Sequence, residues 1–351
     1  MRKLVIFILV VTMLSMLFVG CSKPAEPAVS EPGKVAETKT DEPAAEVKPL
    51  VIANLPKYVG GAWFNRMNDG VEMFAADTKH EAFQTGADKS DAALQVKEVE
   101  NLIAQGVDAI NVVPVSYETL EPVLKQAMDA GIIVVSHEAA GVKNVHFDVE
   151  AFVGADYGAH LCDQMAKAMG EEGDYIITVG SLTAASHMEW ANGFLAHQKA
   201  KYPNMNCINE DQFIETLYDA KASQEKAAEF MKTYPNLKGI FCTSATDITG
   251  MGLAVEEANA QGRVHLVGNG MPNANKDYVK SGAIAFLGCW DPADAGYAMG
   301  VVTEILANGG TIKTGDDLGI PGYNKVTVKE NVIIGEAWIN LTADVIDNYD
   351  F

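Results

Sequence analysis

The sequence predicts an α/β protein: two doubly wound, parallel-sheet (Rossmann-like) domains joined by a hinge of several crossings, with a ligand in the cleft between them. Three observations carry this expectation. Short β-rich runs alternate with helical stretches from residue 50, the alternation starts afresh after residue 155, and a helix and a β-rich tail remain at the end.

The first series opens with the apolar runs LVIANL (50–55), EAFQTG (81–86), AINVVPV (109–115) and IIVVS (132–136). Between the first two, Trp63, Phe64, Met67, Val71, Phe74 and Ala75 recur at three- and four-residue spacing, the period of a helix with one apolar face. DAALQVKEVENLIAQG and YETLEPVLKQAMDAG each end on a glycine, Gly106 and Gly131, as helices commonly do. Strands and helices in strict alternation with short links imply parallel strands joined by right-handed crossovers.

The second series runs helix 157–169, strand DYIITVG, helix 187–201, a strand near 206–213 and helix 220–234. It continues with strand GIFCTS, helix 248–260, strand RVHLVGN, helix 273–281 and strand AIAFLGCW. The following helix, DPADAGYAMGVVTEILANGG, has no strand of its own and is assigned back to the first unit; the tail KVTVKENVIIGEAWIN is assigned to the second. The expected domains are residues 50–155 with 289–322, and 156–288 with 323–351. Several crossings between two units favour a hinge.

The first fifty residues do not belong to that fold. Arg2 and Lys3 precede LVIFILVVTMLSMLFVGC, an apolar stretch of signal-peptide length that ends on Gly20 and Cys21. This pattern resembles a bacterial lipoprotein signal, which implies that Cys21 carries a lipid and anchors the protein to a membrane. Residues 22–49 are rich in Pro, Ala, Glu and Lys, with too little apolar surface to fold, and read as a disordered tether. The folded part is therefore expected outside the cytoplasm. A net charge of −21 argues against nucleic acid, because phosphate binding needs a basic face. The remaining cysteines, Cys162, Cys207, Cys242 and Cys289, form no CxxC or Cys/His cluster and read as buried free thiols, although three disulfide pairings are open to them.

Ligands of such sheets sit beyond the carboxyl ends of the strands, so the loops there supply the candidate site. The first offers Lys57, Trp63, Phe64 and Asn65; the fourth offers Ser136, His137 and Glu138. In the second unit the loops offer Ser186, His187 and Trp190, then Ser244, Thr246 and Asp247, then Asn269. The last crossing offers Trp290 and Asp291. Aromatic faces pack on the C–H faces of a sugar while amides, acids and a lysine fix its hydroxyls, so the set suits a small carbohydrate-like ligand. Trp190 and Phe64 also fit a core face, Lys57 a solvated loop, and His137 or Glu138 a turn cap. No GxSxG, HExxH, GxxxxGK[ST] or GxGxxG stands where it would be needed. The chain reads as a monomeric binding protein without catalytic residues, cofactor or metal.

NLPKYVGGAWFNRMNDG, LIAQGVDAINVVPVSYETLEPVLKQAMDAGIIVVSHE, FLGCWDPADAGY, KTGDDLGIPGY and the ending NYDF together resemble the periplasmic-binding-protein type I family. The likeness covers nearly all of residues 50–351 and is closest to the autoinducer-2-binding and rhamnose-binding branch of sugar ABC-importer receptors. It implies a solute-binding lipoprotein that closes on its ligand and delivers it to a permease; a co-receptor presenting its ligand to a membrane sensor is the alternative. Lys57 matches the family's ligand-contacting lysine, and Trp63 and Phe64 its paired aromatics. Where an autoinducer-2 receptor has an Asp–Gln pair, Ser186 and His187 stand, and its Pro and Ala fall near Ser244 to Asp247. A free sugar or sugar alcohol is thus implied at least as well.

Overall fold

The computed structural model describes residues 48–351; the leader ending at Cys21 and tether residues 22–47 lie outside the described residues. The first lobe is built from β1 (Val51–Leu55), α1 (Ala62–Thr78), β2 (Glu81–Gln84), α2 (Ala92–Gln105), β3 (Ala109–Val112), α3 (Tyr117–Asp129), β4 (Ile133–His137) and β5 (Phe147–Glu150). The second holds α4 (Gly154–Met169), β6 (Gly173–Val179), α5 (Ala185–Lys201), β7 (Met205–Cys207), β8 (Ile214–Glu215), α6 (Ala220–Thr233) and β9 (Leu237–Cys242). It continues with α7 (Asp247–Glu257), β10 (His265–Asn269), α8 (Pro272–Ser281) and β11 (Ile284–Cys289). Then come α9 (Pro292–Ala307), β12 (Thr327–Lys329), β13 (Val332–Ile334) and β14 (Ile339–Leu341), and last a short 3-10 turn at Ile346–Asn348.

Local chemistry sets the boundaries. Asp91 accepts from the Ala93 and Leu94 amides to start α2, and Gly106, with φ of 71°, ends it in the left-handed conformation that glycine adopts without strain. Ser116 caps α3 in the same manner. The strand β3 is buried along its whole length, as a central parallel strand between two helical layers must be.

The first sheet has the order β12-β13-β5-β4-β3-β1-β2 and the second β14-β11-β10-β9-β6-β7, with β8 also pairing with β6. All pairings are parallel except β12 with β13 and β14 with β11. Helices cover both faces: α2 and α3 bury Val99, Leu102, Leu120 and Leu124 on one side of the first sheet. On the other side Phe74 of α1 packs with Tyr297 and Val301 of α9.

Two expectations change. The run near 206–213 is not one strand but β7 and β8. Between them the Asn209 side chain bonds the Ile177 amide at 2.9 Å and its carbonyl at 2.8 Å, taking the place of a neighbouring strand's backbone. The tail does not go whole to the second unit: β12 and β13 complete the first sheet and only β14 joins the second. The reason is β5, whose free edge takes the apolar run Val332–Ile334 in parallel register, Val332 opposite Asp148 and Ile334 opposite Glu150. FDVE, with two acids in four residues, does not advertise itself as a strand. The chain therefore crosses between lobes after β5, after β11 and after β13. Among the described residues no helix is long and apolar enough to span a membrane.

Candidate functional site

Three of the four tryptophans meet where the crossings run. Trp290, on the crossing after β11, is 1% exposed, and its ring lies 4.6 Å from Trp63 of α1, 5.5 Å from Trp190 of α5 and 5.1 Å from Phe152. Edge-to-face contacts of this kind favour a fixed arrangement of rings. The three tryptophans line a cavity between the lobes. From the first lobe come Lys57, Tyr58, Trp63, Phe64 and Glu138. From the second come His187, Trp190, Tyr218, Ser244 to Thr246, and Asn269.

Lys57 leaves the turn after β1 and places its Nζ 2.5 Å from Glu138 Oε2, with both side chains buried. Ser186, from the second lobe, donates its hydroxyl to the same oxygen at 2.7 Å. Burial drives the Glu138 carboxyl up, but the Lys57 ammonium, the largest of the opposing influences, helps to offset that and hold it at about 2. Glu138 has φ of 57°, a left-handed backbone that costs about 1–3 kcal/mol for a residue with a side chain, and it is this bend after β4 that turns the carboxylate inward.

His187 accepts the Gly180 amide at Nδ1, at 3.1 Å, so the neutral ring carries its proton on Nε2. Burial, and then the Lys57 charge, push it down to about 3, against the opposing pull of Glu138. The ring stacks on Trp190, with centroids 5.3 Å apart. Asn269 accepts the Tyr157 hydroxyl at 3.0 Å through its carbonyl oxygen, which leaves its NH2 group unspent. Among the described residues the Trp290 indole N–H has no hydrogen-bond partner. Across the mouth, the Tyr58 and Thr246 hydroxyls lie 3.2 Å apart.

Most of the candidate residues thus come together: Lys57, Trp63, Phe64, Glu138, His187, Trp190, Ser244, Thr246, Asn269 and Trp290. Six do not reach the cavity wall. Ser136 is fully buried, with its hydroxyl donated to Asp148 at 2.5 Å. Asn65 is exposed on the outer side of α1, one residue past the inward-facing pair. His137 lies underneath, its Nδ1–H bonded to the Val149 carbonyl and its ring 6.0 Å from Trp290. Ser186 acts through Glu138. Asp247 is paired with the Thr216 hydroxyl at the start of α7. Asp291 caps α9 and holds Arg66.

Tyr58 and Tyr218 are the wall residues that sequence reasoning missed. Tyr58 adjoins Lys57 and could have been taken with it. Tyr218 follows Leu217, and both have φ near 60°. No residue type signals that bend.

The free space between these side chains is about 30 Å³, room for about two waters. That is too small for a ring-sized solute, and parting the lobes would separate Ser186 from Glu138. Chemically the wall offers flat aromatic faces, donors from Lys57, His187, Asn269 and Trp290, a carboxylate acceptor, and hydroxyls that do either. Its lysine and glutamate balance, so a neutral polyhydroxylated molecule meets it without stranding a charge.

Residues 52–311 match the family model described as the periplasmic binding protein domain. The chain is 26% identical over 248 residues to the D-ribose/D-allose-binding protein of Pseudomonas aeruginosa, covering 66% of this chain and 74% of that one. To the xylitol-binding protein of Mycolicibacterium smegmatis it is 27% identical over 272 residues, covering 74% and 73%. Among solved structures, LsrB from Clostridium saccharobutylicum in complex with AI-2 superposes with a TM-score of 0.79 at 22% identity, over 86% of this chain and all (100%) of that one. A solute-binding protein of an ABC transporter from Clostridium phytofermentas with bound L-rhamnose gives 0.77 at 20% identity, over 86% and 98%.

Proposed function

The chain belongs to the periplasmic binding protein domain family, and we propose that it is the solute receptor of an ABC importer for a small neutral sugar or sugar alcohol. The observation that carries this reading is the shared cavity, in which Glu138 of one lobe is held at once by Lys57 of its own lobe and by Ser186 of the other. The relatives named for ribose, allose and xylitol support the size and class of solute.

In this reading a solute first meets one lobe of the parted cleft. Closure follows because the closed form contacts it from both sides, and a ligand shifts such an equilibrium only by its differential affinity for the two forms. Trp63, Phe64 and Trp190 take its C–H faces; Lys57, Glu138, His187 and Asn269 take its hydroxyls. The closed form is handed to the permease, and the solute leaves unchanged, since the site orders polar groups without activating a nucleophile.

The test is a thermal-shift and calorimetric panel of D-ribose, D-allose, xylitol, L-rhamnose and autoinducer-2. At a hundredfold excess over Kd, the right solute is expected to raise stability by about 3 kcal/mol. A panel without a single binder overturns the carbohydrate reading. Membrane attachment through Cys21 is a second part of the proposal: Cys21→Ser is expected to lose labelled palmitate and to leave the membrane fraction, and retention of both rejects the anchor.

A further inference from the structure

We propose that residues Tyr349–Phe351 form a strap between the lobes that sets how tightly the cleft retains its solute, a role that rests on the receptor reading above. The segment is pegged to α8 of the second lobe. Asp347, in the turn before it, pairs with Lys280 at 2.6 Å; the Asn273 amide donates to the Phe351 carbonyl at 3.0 Å, and the Asn273 side chain to Asp350 at 3.2 Å. Its last ring then reaches the first lobe: the Arg66 guanidinium of α1 lies 5.3 Å from the centre of the Phe351 ring, with Tyr349 edge-on to that ring at 6.1 Å.

Arg66 is prepared for this contact. Its Nε and Nη2 donate to the two oxygens of Asp291 at 2.9 and 2.7 Å, and Nη1 reaches Asp69 at 3.3 Å. Asp291 is itself fixed as the cap of α9, accepting the Ala293 amide at 2.9 Å. A guanidinium whose edges are so engaged has its planar face left for an aromatic ring. Among the described residues, no hydrogen bond or ring pair joins the strap to a cavity residue. It moves with the second lobe and Arg66 with the first, so the contact belongs to the closed form and biases the equilibrium toward it. Losing it lowers the closed fraction and with it the apparent affinity.

The experiment compares Phe351→Ala, Phe351→Leu and Phe351→Tyr with the parent chain, using xylitol and D-ribose as probes. The distance between spin labels on Lys125→Cys of the first lobe and Asp277→Cys of the second is read alongside. Phe351→Ala is expected to widen the distance distribution and to weaken binding about fivefold through faster release. Phe351→Leu keeps apolar bulk without the ring face and is expected to follow Ala; Phe351→Tyr is expected to behave as the parent. An unchanged distance distribution in Phe351→Ala and Phe351→Leu overturns the strap, as does a Tyr variant that opens like Ala. Failure of the parent to bind any of the five solutes of the panel counts against the receptor reading instead, and the label distances still decide the strap.

Discussion

Glu138→Gln is expected to destabilise the protein by about 3 kcal/mol and to abolish solute binding, because it leaves Lys57 charged and without its counter-ion inside the cavity. At about 2–4 °C per kcal/mol for a protein approaching this size, the melting temperature should fall by roughly 6–12 °C. Glutamine keeps the shape and can still accept from Ser186, so the loss isolates the charge. The companion variant Lys57→Met/Glu138→Gln removes both charges and is expected to regain most of the stability, since a buried pair is often matched by apolar groups of similar volume. It should not regain binding. That split, stability restored and affinity absent, is what a pair kept for recognition predicts; restored binding in the double variant would sink the assignment of Lys57 and Glu138 to the solute. Acid does not mimic the single variant. Glu138 is depressed to about 2, so its share of stability is complete above its unfolded value near 4.5 and is lost only as pH falls toward 2.

The sequence made the alternation of strands and helices legible because buried parallel strands and one-sided helices leave different periods in the apolar residues. The loops after those strands followed, and with them Lys57, Trp63 and Phe64. What escaped was direction. Asn65 follows Phe64 by about 100° around the helix axis, which is enough to turn it out to solvent. His137 closes β4 pointing below the cleft, and the left-handed bend at Glu138 sends the next side chain up into it. Adjacent residues that look equivalent in the sequence are thereby given separate tasks. Tyr218 reaches the wall through a bend that nothing in LYD announces. The tail escaped for another reason: which sheet edge β13 covers depends on β5 having an open edge, a fact about the assembled sheet and not about the segment itself.

His187 is expected to dominate the loss of stability between pH 6.5 and pH 4. Its folded value, about 3, lies below the ordinary one of 6.5, so the unfolded chain binds the proton more readily. Stability from this residue is therefore complete above pH 6.5 and declines as pH falls through the window down to about 3. The decline is about 1.4 kcal/mol per pH unit, or roughly 3 kcal/mol by pH 4. The physical source is double: protonation would place a second cation beside Lys57, and Nδ1 could no longer accept the Gly180 amide. The total profile will be shallower than this. Burial, followed by the charge of Asp291, raises Asp294 to about 6, and burial and neighbouring acids raise Glu150. Carboxyls raised in the fold take up protons there first and add stability as pH falls. The quantity to measure is consequently the difference between the parent and His187→Gln, which keeps an amide donor and acceptor but does not titrate. In urea unfolding at pH 7, 6, 5 and 4, the gap between the two should shift in favour of the variant by roughly 3 kcal/mol over the series. A gap that stays constant with pH would mean that His187 takes its proton within the fold at its ordinary pKa, and that the cavity tolerates a second positive charge.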